Sequence, residues 1–110
     1  MNTQQEVLTT SVKAPVDLSK NLFVDFDGSI PLAGTKTLGV VQADTAAGNQ
    51  APIMAEGIAI VLSGSVVNAK DKITTDAEGK AVPVVDTQAV NGYALDTASG
   101  ADQLIRVHLK

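Results

Sequence analysis

The residues here with chemistry to offer are a single histidine, His108, scattered carboxylates and a few lysines. As a general base His108 would need an oriented nucleophile and a third group to hold it. As a zinc ligand it would need about three companions, and in a chain without cysteine only carboxylates are available. It sits on the polar side of an alternating C-terminal pattern and reads as an exposed strand histidine. Carboxylates gather at Asp25-Phe26-Asp27, and at Asp71 with Asp76 and Glu78. Asp76-Ala77-Glu78-Gly79-Lys80 looks like part of a calcium loop. It lacks the further oxygen ligands at fixed offsets and the bidentate glutamate that complete one, so a solvated β-turn explains it better. Carboxylates at glycosidase spacing would find little aromatic platform for a sugar.

Asp71-Lys72 invites comparison with a lipoyl or biotinyl carrier, whose modified lysine occupies a hairpin tip. Here Lys72 enters a strand pattern, and Lys80 flanks the tip at Asp76 to Gly79. Gly28, Gly34 and Gly39 are scattered, with no helix start after them to cradle a phosphate. No nucleophile elbow is present. The expectation is a protein without catalytic residues, cofactor, metal or small-molecule substrate, and therefore not an enzyme.

The elements that would hold these residues are almost all strands. Gly57-Ile58-Ala59-Ile60-Val61-Leu62 is apolar on both faces and needs a core around it. It turns at Ser63-Gly64-Ser65 and leads through Val66-Val67 to Ile73-Thr74-Thr75. Asp76-Ala77-Glu78-Gly79 then makes the clearest hairpin signal, ahead of Lys80-Ala81-Val82. Upstream, Leu22 to Phe26 predicts a strand with Leu22, Val24 and Phe26 on one face. Asp27-Gly28 reads as a tight turn into a short or edge strand, Ser29-Ile30-Pro31-Leu32, because Pro31 has no amide donor. Leu38 to Ala43 and Pro52 to Glu56 predict further strands, with a turn at Asp44 to Asn49 between them. Strands are also expected at Val82 to Val85 and Gly92 to Leu95. Leu104-Ile105-Arg106-Val107-His108-Leu109 carries the cleanest period of two.

An internal echo links Gly39 to Gly48 with Gly92 to Gly100. In each a glycine opens a strand and Asp-Thr-Ala-(Ala/Ser)-Gly closes it, which predicts two similar hairpins. Helical periodicity is absent, and glycines and prolines punctuate the chain. The fold class expected is all-β, a small β-barrel or β-sandwich of short strands and hairpins. One β-domain is expected over residues 21–110. Residues 1–20, polar with Pro15 in the middle, form an N-terminal arm that is flexible or ordered on binding. Val7 to Val12 suits a strand that could pair with the sheet edge of a partner, with Val7, Leu8, Val12 and Lys13 as candidate binding residues.

Composition narrows the function classes. Of 110 residues, 45% are apolar, but the aromatics are only Phe23, Phe26 and Tyr93, all core candidates. A core of Val, Ile, Leu and Ala has few large anchors, so an oligomer is plausible. The net charge of −4 without a basic cluster argues against nucleic-acid and anionic-membrane partners. The absence of cysteine fits a reducing compartment. No apolar run approaches the ~20 residues needed to span a bilayer, and no signal peptide is evident, so a soluble protein is expected.

Three blocks in order resemble the small bacteriophage head decoration proteins, the cement proteins on the outside of a capsid. They are Glu56-Gly57-Ile58-Ala59-Ile60-Val61 with Ser63-Gly64, then Val67 to Ala81, then Asn91 to Gly100 closing on Leu104 to Leu109. The family order is a strand, an "Ala-Gly-Asp-Lys-Val-Thr-Ser-Asp" turn, "Gly-Ile-Ala-Leu-Asp-Ala-Ala-Ser", and a terminal "Leu-Val-Arg-Val-Leu" strand. Resemblance covers roughly residues 38–110, and Lys70 stands where the pattern has Gly. It implies a structural protein that binds the major capsid protein and stabilises the shell, functionally analogous to the phage lambda head decoration protein. It further implies a homotrimer on the virion exterior, made in the bacterial host cytoplasm, whose arm orders against the capsid. Deleting residues 1–14 is then expected to leave a folded oligomer that no longer binds. The alternatives are another virion- or tail-associated or adhesin-like β-module, and a small lipoyl- or biotinyl-like carrier domain.

Overall fold

The computed structural model describes residues 5–85 and 87–109, with side chains described from Thr10 onward. The strands are β1 (Gln5–Lys13), β2 (Phe23–Val24), β3 (Gly39–Val41), β4 (Gln50–Leu62), β5 (Lys72–Thr75), β6 (Ala81–Pro83), β7 (Gly92–Ala94) and β8 (Leu104–Leu109). No helix occurs among the described residues, so the all-β expectation holds.

β4 is the axis of the fold. Ile53 and Met54 pair with β1 and β3 at once, and Gly57 and Ile58 pair with β1 and β8 at once. A strand has two edges, so β1 lines one edge of β4 while β3 and β8 follow each other along the other. Gly57, at φ 114°, lies where the second edge changes partner, a conformation open to glycine and strained for other residues. From β8 the sheet continues through β7 and β5 to β6. Ala81 of β6 bridges to Ser63 just past β4, and the Phe23 amide donates to the Gly79 carbonyl at 2.7 Å. These links bring the sheet's ends together as a nearly closed antiparallel barrel.

Neighbouring residues on β2, β3 and β4 enter different cores. Phe23, Val40 and Met54, opposite one another in the ladder, join the main core with Val61, Ile73, Ile105 and Val107. Val24, Val41 and Ile53 face the other way, into a second cluster closed by Ala14 and Leu18, with Val12 packed against it. Sheet faces buried on both sides are therefore found here. In Gly57 to Leu62, Ala59 and Val61 are fully buried while Ile58, Ile60 and Leu62 are only half-buried. The core that strand was expected to need lies on one side of it.

The terminal strand fits its alternation: Ile105, Val107 and Leu109 are buried, and Arg106 and His108 half-buried. The β5–β6 hairpin turns at Asp76 to Gly79 as read. Asp76 Oδ1 accepts from the amides of Glu78 and Lys80, and Gly79 adopts φ 84°. Both echo segments also join adjacent antiparallel strands, β3 to β4 and β7 to β8. Their aspartates serve distant segments: Asp44 accepts from the Lys20 amide and Asp96 from the Arg106 amide.

Several local expectations fail: Tyr93, a core candidate, is 36% exposed because it faces outward on β7, and the strand expected at Val82 to Val85 runs from Ala81 to Pro83. Ser29 to Leu32 forms no strand but part of the long connection from Asp25 to Leu38. Leu22, Val24 and Phe26 do not share a buried face, since Phe23 and Val24 are both buried and Phe26 is exposed. The strand ends at Val24 because the Asp25 amide turns to the Ser29 carbonyl and closes a tight turn.

Candidate functional site

Each residue with potential chemistry ends in local structure. Asp25 accepts from the Phe26 amide, and Asp27 from the amide and hydroxyl of Ser29, which hold the Asp27 carboxyl below its usual range. Asp71 accepts from the Asn68 amide at 2.9 Å. Lys80 pairs with Asp102 at 2.7 Å, and the hydrogen bond to that carboxylate raises its pKa. Lys72 lies on β5, opposite Tyr93 rather than at a hairpin tip. Among the described residues no three histidine or carboxylate side chains gather to hold a metal.

What the fold does display is apolar surface. The connection between β2 and β3 carries Phe26, Ile30 and Leu32 at 60%, 52% and 74% exposure. Large apolar side chains clustered on one loop at such exposure mark a contact surface more often than a stray residue does. The loop is nevertheless tied down. Gly34 donates to the Thr75 carbonyl and its own carbonyl accepts from Ala89. Asn91, 3% exposed, accepts from the Thr37 amide and donates to the Thr35 carbonyl, both at 2.9 Å. Beneath Phe26 lies a groove of about 250 Å³ with Leu38, Ala55, Asn91 and Leu109 on its walls. Its floor is the stretch of β4 between the residues paired to β3 and those paired to β8.

The loop tip adjoins the N-terminal segment. A side chain at Gly28 would lie 2.7 Å from the Lys13 carbonyl and 3.3 Å from Val12 Cγ2, so the Asp25–Gly28 turn sits directly on the end of β1. Of the four arm residues singled out, Val7 and Leu8 lie in β1, where Leu8 pairs with Glu56, but their side chains are outside the described residues. Val12 is half-buried and Lys13 exposed. The end of β1 and the first turn of the Phe26 loop are thus in backbone contact. Phe26 was read as a core candidate because it continues an apolar run; its position between two turn-forming aspartates was the signal for exposure.

A firm polar contact stands between β8 and the connection that leads into it from β7. Asp96 Oδ1 and Oδ2 receive Arg106 Nη2 and Nε at 2.9 and 3.0 Å. The bidentate guanidinium, with the Arg106 amide, holds the Asp96 carboxyl below its usual range and raises the Arg106 pKa. His108, on the same side of β8, stands opposite Tyr93 and Ile58 in the ladder.

A family model described as "Phage cement protein" matches residues 1–109. Among solved structures, the chain is similar to the N base of the head fiber gp8.5 of bacteriophage phi29. That match has a TM-score of 0.77 at 21% identity and covers 94% of this chain and 93% of that one. No curated protein matches the chain.

Proposed function

This chain belongs to the phage cement protein family, and on that premise we propose that it is a structural capsid decoration protein acting without catalysis. It binds the exterior of the phage head through the major capsid protein and stabilises the shell as a homotrimer. The family match over residues 1–109 carries this reading. In support, the fold offers an exposed apolar loop and an adjoining N-terminal strand, while Asp27, Asp71 and Asp76 are engaged in turns.

In this reading residues 21–110 form the body of the domain, and the arm of residues 1–20, whose β1 lies along β4, makes the capsid contact with Val7, Leu8, Val12 and Lys13. The Phe26 loop extends that contact. Main-chain pairing along β1 supplies affinity, and repeated copies on the shell turn weak contacts into durable reinforcement. Made in the host cytoplasm, the protein adds to the outside of the head. Likeness to a head-fiber base favours a second reading, a virion-associated module that carries another component.

Cosedimentation with empty, expanded phage heads tests the proposal. The chain is expected to pellet with heads, saturate at a fixed ratio to the capsid protein, and raise the temperature at which the shell disrupts. Retention in the supernatant would sink it, and saturable binding without any gain in shell stability would favour the second reading.

A further inference from the structure

We infer that the chain is one strand unit used twice, residues 9–54 and 58–108 joined inside β4, and that a partner therefore meets residues 9–20 as built-in strand and turn. The registers carry this. Thr9 to Lys13 face Met54 to Gln50, and Ile58 to Leu62 face His108 to Leu104 in the same order. Past those strand ends, Ala14 donates to the Asn49 carbonyl at 2.9 Å and accepts from the Gly48 amide. Likewise Ser63 donates to the Gln103 carbonyl at 2.8 Å and accepts from the Asp102 amide. Leu18 bridges to Thr45 as Val67 does to Ala98. Phe23 and Val24 face Val40 and Gly39, as Lys72 and Ile73 face Tyr93 and Gly92. One uninterrupted shift thus lays residues 9–24 on residues 58–73, and the differences in length fall later in each unit.

Backbone conformation repeats with the ladder. Residues other than glycine seldom take positive φ. Asn21, at 69°, and Lys70, at 75°, do so at equivalent places, and Gly48, at 91°, matches Asp102, at 63°. The cores correspond as well. Leu18, Val24, Val41, Ala51 and Ile53 line the second cluster, and their counterparts Val67, Ile73, Ala94, Ile105 and Val107 belong to the main core. The larger Val41 with the smaller Ala51 in one unit becomes Ala94 with Ile105 in the other. What differs is the reverse face. Phe23, Val40 and Met54 are buried in the main core with the residues of the second unit, whereas their counterparts Lys72, Tyr93 and His108 keep solvent contact. A single unit cannot bury both faces of its own sheet, and the second unit covers the first. Ala14 and Leu18 close the second cluster from the positions that Ser63 and Val67, both fully buried, hold in the second unit. A capsid contact through Val12 and Lys13, which rests on the reading above, is then made by folded strand and not by a tail that orders on binding.

Hydrogen exchange on the unbound full chain tests the built-in strand. The amides of Ala14 and Leu18 are expected to exchange at least about a hundredfold more slowly than in an unstructured peptide, as are those of Ser63 and Val67. Faster exchange at Ala14 and Leu18 overturns the assignment of residues 9–20 to a folded unit. A core transplant tests the duplication. Leu18→Val, Val24→Ile, Val41→Ala, Ala51→Ile and Ile53→Val together give the first unit the core residues of the second, with total side-chain carbon unchanged. The full set should unfold at a higher temperature than Val41→Ala alone, because the space vacated at one position is filled from another. A full set that fails to fold, or unfolds no higher than Val41→Ala, overturns the duplication. Both measurements are made without phage heads, so a failure of the capsid reading leaves them standing.

Discussion

Asp96 holds Arg106 by three hydrogen bonds: from the Arg106 amide and Nε at 3.0 Å, and from Nη2 at 2.9 Å. The pair spans the connection from β7 to β8, so it fixes the second echo hairpin as well as orienting a cation. Both side chains keep some solvent contact, which limits its worth. Asp96→Asn should destabilise the fold by about 1 kcal/mol, read by denaturant unfolding.

The same pair predicts a pH dependence. Asp96 has a lowered pKa in the folded state, from an ordinary value of 3.8, so its contribution is fully present above that value. It is lost as pH falls through the lower folded value. The gap in unfolding midpoint between wild type and Asp96→Asn should close on acidification below about pH 4. A gap that stays constant down to acid pH would show that the carboxylate's charge is not what stabilises the hairpin.

Gly39 and Gly92 open the two echo hairpins for a shared steric reason. A Cβ on Gly39 would lie 2.1 Å from the Met54 carbonyl oxygen, and one on Gly92 2.5 Å from that of His108. Both contacts are with the backbone of the neighbouring strand, which cannot move aside cheaply. Alanine at either site should cost about 2–4 kcal/mol, the range of severe local strain. Gly100, where a Cβ meets nothing within 4 Å, is the control and should tolerate alanine with little change. Thermal unfolding of the three variants checks the ordering.

Lys70 occupies φ 75°, the left-handed conformation, at the position where the decoration-protein pattern carries glycine. The Lys70 amide donates to the Ala94 carbonyl at 2.7 Å, and the lysine backbone bears the strain of the left-handed conformation. Relief of that strain outweighs the added freedom of the unfolded chain, so Lys70→Gly should stabilise the fold by about 0.5–1 kcal/mol. A lower unfolding midpoint in that variant would contradict this.

For the arm, substitution is a cleaner probe than truncation. Removing residues 1–14 would strip β1 from β4 and take Ala14 from the second cluster, so lost binding could follow from lost stability. Lys13 is exposed, and its carbonyl lies against the turn that begins the Phe26 loop. Lys13→Glu should leave the free energy of unfolding within about 0.5 kcal/mol of wild type and weaken head binding several-fold. Undiminished cosedimentation would remove Lys13 from the contact.

Period-two alternation with a punctuating turn was enough to read β8 and the Asp76–Gly79 hairpin, since each is decided within a few residues. Phe23 and Val24 were harder. Alternation says which residues share a face, but not that Ala14 and Leu18 return to cover the second face. Pro52 misled in another way, suggesting a strand boundary inside what is one strand from Gln50 to Leu62. Its carbonyl accepts from Gln42, so its missing amide faces the position just past the end of β3, where the ladder has already stopped. The Phe26 loop was illegible as a surface because exposure depends on which segments pack over it, and those contacts span more than 50 residues of chain.

The eight register pairs between β1 and β4 also set how the molecule would bear load. Tension along the axis of β1 strains all of these pairs together, as a lap joint does in shear. Tension applied across that axis meets them one at a time, as in peeling tape. A load carried along β1 is therefore met in the strong direction of the fold, and one that lifts β1 away from β4 is met in the weak one.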